Sequence, residues 1–313
     1  QETNRNNNDA RVSERALREL YLKGFEIAVK ESSPWTVMSS YNRLNGVYTQ
    51  EDPWLLTDVL RSDWGYDGIV MTDWTSKRNT AAQIAAGNDL MEPGFGSQVR
   101  DLQKKIRSGE LSEEALDLCV RRILELIVKT PTFSGYRYSD KPDLKAHAEV
   151  VRKAATEGMV LLKNDSALPF SGVKTAAVFG VTSYDVIAGG TGSGNVNKPY
   201  VVNIPEGLAG AGITVDRTLA GEYGRYISDK KNRQKGYVMV GVAAWKEMPV
   251  PADMIERSAK ENDIAVLTIG RQAGEGQDRS VEDDFNLSDV EMELLENVCS
   301  SYHRENKKVV VVL

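Results

Sequence analysis

Two rhythms run through the apolar and polar positions of this chain. Short continuous apolar runs read as buried strands, and apolar residues spaced three and four apart read as amphipathic helices. The clearest run is Gly68-Ile69-Val70-Met71-Thr72-Asp73-Trp74, an apolar strand ending on a carboxylate and an indole. Upstream, Leu17, Leu20, Tyr21, Phe25, Ile27 and Ala28 predict a helix over 12–30, with Ser13 as its cap and Ser32-Ser33-Pro34 as its stop. Residues 35–40 predict a strand, 41–46 a polar, turn-rich loop and 54–63 a helix. Downstream, the pattern predicts a helix over 76–86, a short strand over 88–92 closed by Pro93-Gly94, and a helix over 99–108. A further helix spans 112–129, capped by Ser112 with Glu113 and Glu114 in its first turn. Strand, loop and helix alternate at the short period of a βα repeat, which predicts a parallel sheet.

From Thr130 to Pro142 both rhythms stop, in a stretch rich in Pro, Gly, Ser, Tyr and charge. This predicts a first domain over 1–130, a linker over 131–143 and a second α/β domain over 144–313. The second domain opens on a helix from about Leu144, with Val150, Val151, Ala154, Ala155, Met159 and Leu162 on one face. Strands are expected at 176–180, 213–216 and 264–269, a glycine loop at 189–194, and a helix starting from a capping box of Ser288 and Glu291. The chain closes on Lys308-Val309-Val310-Val311-Val312-Leu313, an apolar strand expected to be buried. That ending, and a polar start at Gln1 to Asp9 without the regions of a signal peptide, lead us to expect a fragment of a longer protein.

Composition removes several function classes. With 313 residues, 41% hydrophobic and 27% charged, the chain has the make-up of a globular protein of two domains. A net charge of −6 argues against nucleic acid or an anionic membrane as partner. No apolar run reaches the roughly 18 residues of a membrane span. Cys119 and Cys299 lack metal spacing, so neither a disulfide framework nor a zinc site is expected. His147 and His303 read as helix-surface residues, which leaves no histidine-based triad or metal centre.

Two carboxylates remain as chemistry. Asp73 sits at the carboxyl end of an apolar strand, where α/β folds place reactive groups; the competing reading is that it caps the next helix. The 189–194 loop lacks the Lys-Ser/Thr ending of a phosphate loop, so a tight backbone approach is the better reading of its glycines. Glu275 lies between Gly274 and Gly276 after a strand, on a loop expected to be extended and exposed, with Arg279 near enough to tune its charge. A solvated surface glutamate and a proton donor both fit that setting. Paired carboxylates about 5 to 6 Å apart perform retaining glycoside hydrolysis, and Trp74 offers a face on which a sugar can stack.

Seven ordered blocks then resemble family 3 of the glycoside hydrolases, the β-glucosidase group. They are 39–46 (Ser-Ser-Tyr-Asn-Arg-Leu-Asn-Gly), 64–74, 86–91, 158–165, Leu168-Pro169, 189–194 and 274–279 (Gly-Glu-Gly-Gln-Asp-Arg). The resemblance implies the C-terminal part of a TIM-like (β/α)8 barrel followed by an α/β sandwich domain, with the active site between them. It implies hydrolysis of terminal β-linked sugars with retention, without a cofactor, outside the cytoplasm or in the periplasm. Asp73 matches the nucleophile and Glu275 the acid/base, while Met38, Tyr41, Trp74 and Ser193 match positions lining the sugar. The substrate implied is an oligosaccharide or an aryl or alkyl β-glycoside.

The chain also departs from that family. Its barrel begins upstream of Gln1, and the Asp, Arg and Lys-His residues that grip the sugar hydroxyls have no counterpart here. By element count about the last three barrel strands are expected here, and the sandwich is expected to stop before its end. The chain alone is therefore expected to be inactive, or to need the remaining barrel as another segment or chain. β-Xylosidase or broader exo-activity, a catalytically incomplete carbohydrate-binding protein and a nucleotide-dependent enzyme are the alternatives.

Overall fold

The computed structural model describes residues 2–75, 78–234, 243–272, 275–276 and 278–313. The chain is α/β and divides into two compact units, Thr3–His147 and Ala148–Leu313.

In the first unit β1 (Asp9–Ala10) precedes a helical stretch made of α1 (Glu14–Ala16), a π-type run (Leu17–Tyr21) and α2 (Lys23–Ser32). Ser13 caps it, its Oγ accepting the Ala16 N–H at 3.3 Å, and left-handed Ser33 ends it two residues later than expected. Leu17 and Val29 are buried, while Leu20, Tyr21, Phe25 and Ile27 are exposed. Then come β2 (Thr36–Ser39), β3 (Arg43–Leu44), β4 (Val47–Tyr48) and, after a π-type helix at Trp54–Asp63, β5 (Ile69–Thr72). β2 and β5 run parallel in register from Thr36 opposite Ile69 to Ser39 opposite Thr72.

Two expectations need correction here. The 41–46 stretch is not a plain loop: β3 and β4 form a hairpin turned by Asn45 and Gly46, at φ 51° and 95°. Asn-Gly supplies the two positive φ angles that such a tight turn needs. The 88–92 segment makes only one parallel bridge, Leu90 to Met71. A ladder cannot extend there because the Asp89 carboxylate, not a strand carbonyl, takes the Val70 N–H at 2.8 Å.

Three helices complete this unit: α3 (Thr80–Ala86), α4 (Gly96–Arg107) and α5 (Glu113–Lys129). α3 starts later than the expected 76 because Asn79 is its cap, with Oδ1 accepting the Ala82 N–H at 3.3 Å; Ser76 lies outside the described residues. Ser112 caps α5 as expected. Val29, Leu56, Leu60, Tyr66, Val70 and Ala86 form one apolar cluster, and Ala81, Ile84, Leu111 and Cys119 another. α6 (Leu144–Gly158) stops before Met159 and Leu162, so those two residues are not on its apolar face, and Val150 and Val151 are exposed. His147 and His303 are exposed on helices, and both cysteines are free.

The second unit holds β6 (Thr175–Phe179), α7 (Val181–Tyr184), α8 (Ile204–Gly210), β7 (Thr214–Val215), α9 (Arg217–Ser228), α10 (Ala252–Glu261), β8 (Ile264–Thr268), α11 (Asp289–Arg304) and β9 (Lys308–Val312). Among the described residues the four strands are all parallel, in the order β7-β6-β8-β9. The chain winds outward from β6 to β7 and then back to β8, so its direction reverses between β6 and β8. Ligands of such sheets bind outside the carboxyl ends of the strands at the reversal. Phe179, Leu219, Tyr223, Ile255, Leu267, Leu294, Val298 and Tyr302 pack as the main core. Asp216, expected in a strand, instead caps α9 by accepting the Thr218 and Leu219 N–H groups, each at 3.0 Å. β9 is the sheet edge, with Val311 and Val312 exposed rather than buried. Among the described residues no helix is long and apolar enough to cross a membrane.

Candidate active site

Asp73 directly follows β5, and its N–H donates to the Ser39 carbonyl at 3.2 Å. The parallel ladder thus extends one step past the strand and fixes the Asp73 backbone. The side chain does not cap α3, which overturns the competing reading: Asn79 holds that role, and Asp73 Oδ1 accepts the adjacent Trp74 N–H at 2.6 Å. Asp73 is half-buried and the Trp74 indole is 58% exposed, an open apolar face beside a carboxylate. The Tyr41 hydroxyl donates to the Trp74 carbonyl at 2.6 Å, and the Arg5 guanidinium lies 4.9 Å from the Tyr41 ring centre. Thr75 adopts φ 64°, a costly setting for a β-branched residue, and its N–H bonds the Glu92 carbonyl at 3.0 Å. Met38 is exposed on β2 opposite Met71, one residue before Ser39. Asp73, Trp74 and Tyr41 are therefore gathered at one strand end, with Met38 on the neighbouring strand.

What holds that strand end is a buried charge cluster that the sequence pattern did not single out. Asp89, whose side chain is 0% exposed, accepts from Arg61 at 2.7 Å, Arg122 at 3.0 Å and the Val70 N–H at 2.8 Å. Arg61 also donates to the Gly68 carbonyl at 2.9 Å, so β5 is gripped at its start and within its run. Burial pulls the Arg61 guanidinium below its ordinary value, and the Asp89 charge opposes that pull. Burial likewise pushes the Cys119 thiol up to about 12, and its Sγ donates to the Asn88 carbonyl at 3.4 Å. Ser39 Oγ donates to Asn88 Oδ1 at 2.9 Å, and Asn88 Nδ2 to the Gln50 carbonyl at 2.5 Å, tying β2 to the segment that carries Asp89.

In the second unit Glu275 is half-buried in a turn rather than extended and exposed. Its Oε2 accepts the Ser193 N–H at 2.7 Å. Gly192 takes φ 66°, and a Cβ there would lie 2.3 Å from Glu275 Cβ and 2.5 Å from Oε2. The glycine loop thus allows a close backbone approach, and what it approaches is Glu275. Ser193 contributes its backbone N–H to the pair. Gly274 lies outside the described residues. Arg279 places its Nε 2.5 Å from Asp284 Oδ2.

The carboxyl ends of β6 and β8 open on a cavity of about 1090 Å³, lined in part by Val181, Trp245, Glu247 and Gly270. Glu247 accepts the Val181 N–H at 3.1 Å and the Met248 N–H at 2.9 Å. Burial pushes its carboxyl up to about 7, with those two N–H groups pulling partly back. Among the described residues no cluster of His, Cys, Asp and Glu is arranged to hold a metal ion.

Comparison with known proteins gives the family. The family model described as "Glycosyl hydrolase family 3 N terminal domain" matches residues 2–126, and "Glycosyl hydrolase family 3 C-terminal domain" matches 159–313. An exo-alpha-(1->6)-L-arabinopyranosidase of Bifidobacterium longum is 33% identical over the whole chain, which covers 39% of that protein. A beta-glucosidase of Rhizobium radiobacter is 42% identical over 64% of the chain, or 25% of its own length. The solved structure of beta-glucosidase 3B from Thermotoga neapolitana, in complex with alpha-D-glucose, superposes with a TM-score of 0.92 at 45% identity. It matches 99% of this chain, which in turn spans 45% of that one. The two family models follow one another along residues 2–126 and 159–313, and the chain belongs to glycosyl hydrolase family 3.

Proposed function

We propose that residues 1–313 carry both catalytic carboxylates of a retaining, exo-acting β-glycosidase, most simply a β-glucosidase. In this reading 1–130 supplies C-terminal strands of a TIM-like barrel, 131–143 a linker and 144–313 an α/β sandwich. Asp73 attacks the anomeric carbon of a terminal β-linked sugar and forms a glycosyl ester. Glu275 gives its proton to the departing glycosidic oxygen, then takes a proton from the water that attacks the same carbon. The Asp73 carboxylate leaves, and two inversions give net retention. Trp74 stacks on the sugar ring, and Met38, Tyr41 and Ser193 line the same site. The two carboxyls are required to approach to about 5 to 5.5 Å in the active state. The observation that carries the reading is Asp73, held past the end of a parallel strand beside an open indole, in a chain of this family.

A broader sugar range is the second reading, because the Bifidobacterium longum relative is named for an arabinopyranose rather than a glucose. In either case the sugar's hydroxyls require side chains beyond these six, and polypeptide adding barrel strands is the partner this reading calls for. The test is hydrolysis of aryl β-glucoside, β-xyloside and α-L-arabinopyranoside by this chain and by the longest natural polypeptide containing it. Magnetic resonance of the first-formed sugar reads the stereochemistry. Release of the β-anomer of glucose from the β-glucoside supports the proposal. First release of the α-anomer, or calorimetric sugar binding without hydrolysis in either polypeptide, overturns it.

A further inference from the structure

The loop that carries Glu275 runs from the end of β8 to the start of α11, and its described residues include one π-type turn at Val281–Phe285. A loop of this length does not by itself hold a carboxylate to the tolerance that proton transfer requires. Its two ends, however, are tied together by a single side chain. Arg271, four residues before Glu275, donates through Nε to the Asp284 carbonyl, through Nη1 to the Gly270 carbonyl at 3.0 Å and Glu291 Oε1 at 2.6 Å, and through Nη2 to the Asn286 carbonyl at 3.0 Å and Glu291 Oε2 at 2.9 Å. All five guanidinium N–H groups are thereby used.

The arrangement is directional. Gly270 is the loop's entry, Asp284 and Asn286 its exit, and Glu291 lies in the first turn of α11, a rigid element of the core. The Glu291 grip is bidentate, the geometry in which Arg fixes orientation as well as distance. Asp284 is held a second time, by Arg279 at 2.5 Å, so the returning limb is tied by two arginines. Glu291 also accepts the Ser288 N–H at 2.8 Å as part of the helix cap. Burial disfavours its charge, but Arg271 and the Ser288 N–H outweigh that and hold it below the ordinary carboxylate range. Beyond this clamp, Glu275 rests on the Ser193 N–H.

We infer that Arg271, locked to Glu291, is the positioning residue for the acid/base Glu275: it closes the loop at its base so that the carboxyl meets the departing oxygen. This rests on the assignment of Glu275 proposed above. Poorly placed proton donation slows the departure of a poor leaving group and hardly affects one that leaves without help.

The experiment therefore compares kcat/KM for phenyl and 2,4-dinitrophenyl β-glucosides in the active polypeptide, for R271K, E291Q and E275Q, each with its melting temperature. R271K keeps the charge but loses the fork, and E291Q keeps the shape but loses the charge. R271K is expected to lose on the order of 100-fold toward the phenyl substrate and less than about fivefold toward the dinitrophenyl one, as a weaker copy of E275Q. E291Q follows in the same direction, and decides the matter if R271K does not fold. Equal losses on both substrates, tracking the melting temperature, would mean a merely structural role and overturn the inference while E275Q remains selective. An E275Q variant without leaving-group selectivity would overturn the assignment of Glu275 itself, and this inference with it.

Discussion

Asp73 and Glu275 are held by different means, and the contrast separates the two halves of the chain. Asp73 stands one step past a parallel ladder, its N–H on the Ser39 carbonyl, on a strand gripped by the buried Asp89 cluster. Glu275 stands on a loop whose placement depends on Arg271 at the base and on Gly192 and Ser193 at the carboxyl. A strand end is positioned by the same hydrogen bonds and packing that fold the unit. A loop residue is positioned by a few side-chain contacts that contribute to function more than to folding. Damage to the supports of Asp73 should therefore appear first as lost stability, and damage to the supports of Glu275 first as lost proton transfer.

The largest effect is expected at Asp73 itself. Asp73→Asn keeps the shape and removes the proposed nucleophile, so kcat/KM should fall on the order of 10⁴-fold for good and poor leaving groups alike. Unfolding by denaturant should move by no more than about 0.5 kcal/mol, because among the described residues the side chain accepts just the adjacent Trp74 N–H. Activity within tenfold of the parent would remove Asp73 from the mechanism and leave the comparison with one side.

Asp89→Ala tests the support rather than the group. It leaves Arg61, only 8% exposed, and Arg122 without their counter-charge and the Val70 N–H without its acceptor. Removing one member of a buried ion pair costs about 3 to 5 kcal/mol. Urea unfolding of this chain, followed by a probe in the first unit, should show a loss of that size while the second unit is unchanged. A loss below about 1 kcal/mol would show that β5 does not depend on the cluster.

These contrasts also explain what was legible in the sequence. The strands around Val70, Val178 and Val266 were readable because continuous apolar runs leave few alternatives to burial. The helix caps at Ser13, Ser112 and Ser288 were readable because capping is local. The Asp89 cluster was not, since Arg61 and Arg122 lie 28 and 33 residues away and each resembles a surface charge on a helix. The hairpin at 43–48 had its signal in Asn45-Gly46, but its two strands are only two residues each, too short to show an alternating pattern. Asp73 as nucleophile candidate came from a strand-end rule and a resemblance. The half-burial of Glu275 was missed because flanking glycines say nothing of what a loop rests against. Arg271 stood within the quoted segment, yet only Asp284, Asn286 and Glu291, brought close by the turn at 281–285, reveal its task.

Between the two extremes lies Glu247, half-buried near the carboxyl end of β6 but tied to no proposed step. Desolvation pushes its carboxyl up to about 7 in the fold from an ordinary 4.5. Between those values the folded state holds a proton that the unfolded chain has released, so stability falls as pH rises through that window and is level above it. The penalty approaches roughly 3 kcal/mol at neutral pH and is absent below about pH 4.5. Glu247→Gln removes the titration at the cost of about 1 kcal/mol, because one of the two accepted N–H groups loses its oxygen. Denaturation between pH 4.5 and 7.5 should show the parent weakening relative to the variant as pH rises. Parallel curves would mean that the carboxyl is charged throughout and that burial does not govern it.

The smallest effect on activity, and the sharpest on the comparison, is expected at Gly192. An alanine there must adopt φ 66°, which costs a side-chain-bearing residue about 1 kcal/mol. Its Cβ would also stand 2.3 Å from Glu275 Cβ, a distance that one of the two residues must relieve by moving. The loop is the softer partner, so Glu275 moves and loses the Ser193 N–H. Gly192→Ala is then expected to lower stability by about 1 kcal/mol and to cut kcat/KM roughly tenfold on phenyl glycosides, with little change on dinitrophenyl ones. Gly194, two residues along the same loop, would meet nothing within 4 Å if given a Cβ, and it serves as the control. If Gly194→Ala has the same kinetic effect, the loop acts through its general flexibility. If only Gly192→Ala does, the close approach of backbone to carboxylate is what places the proposed acid/base, and the loop-borne carboxylate is as specifically held as the strand-borne one.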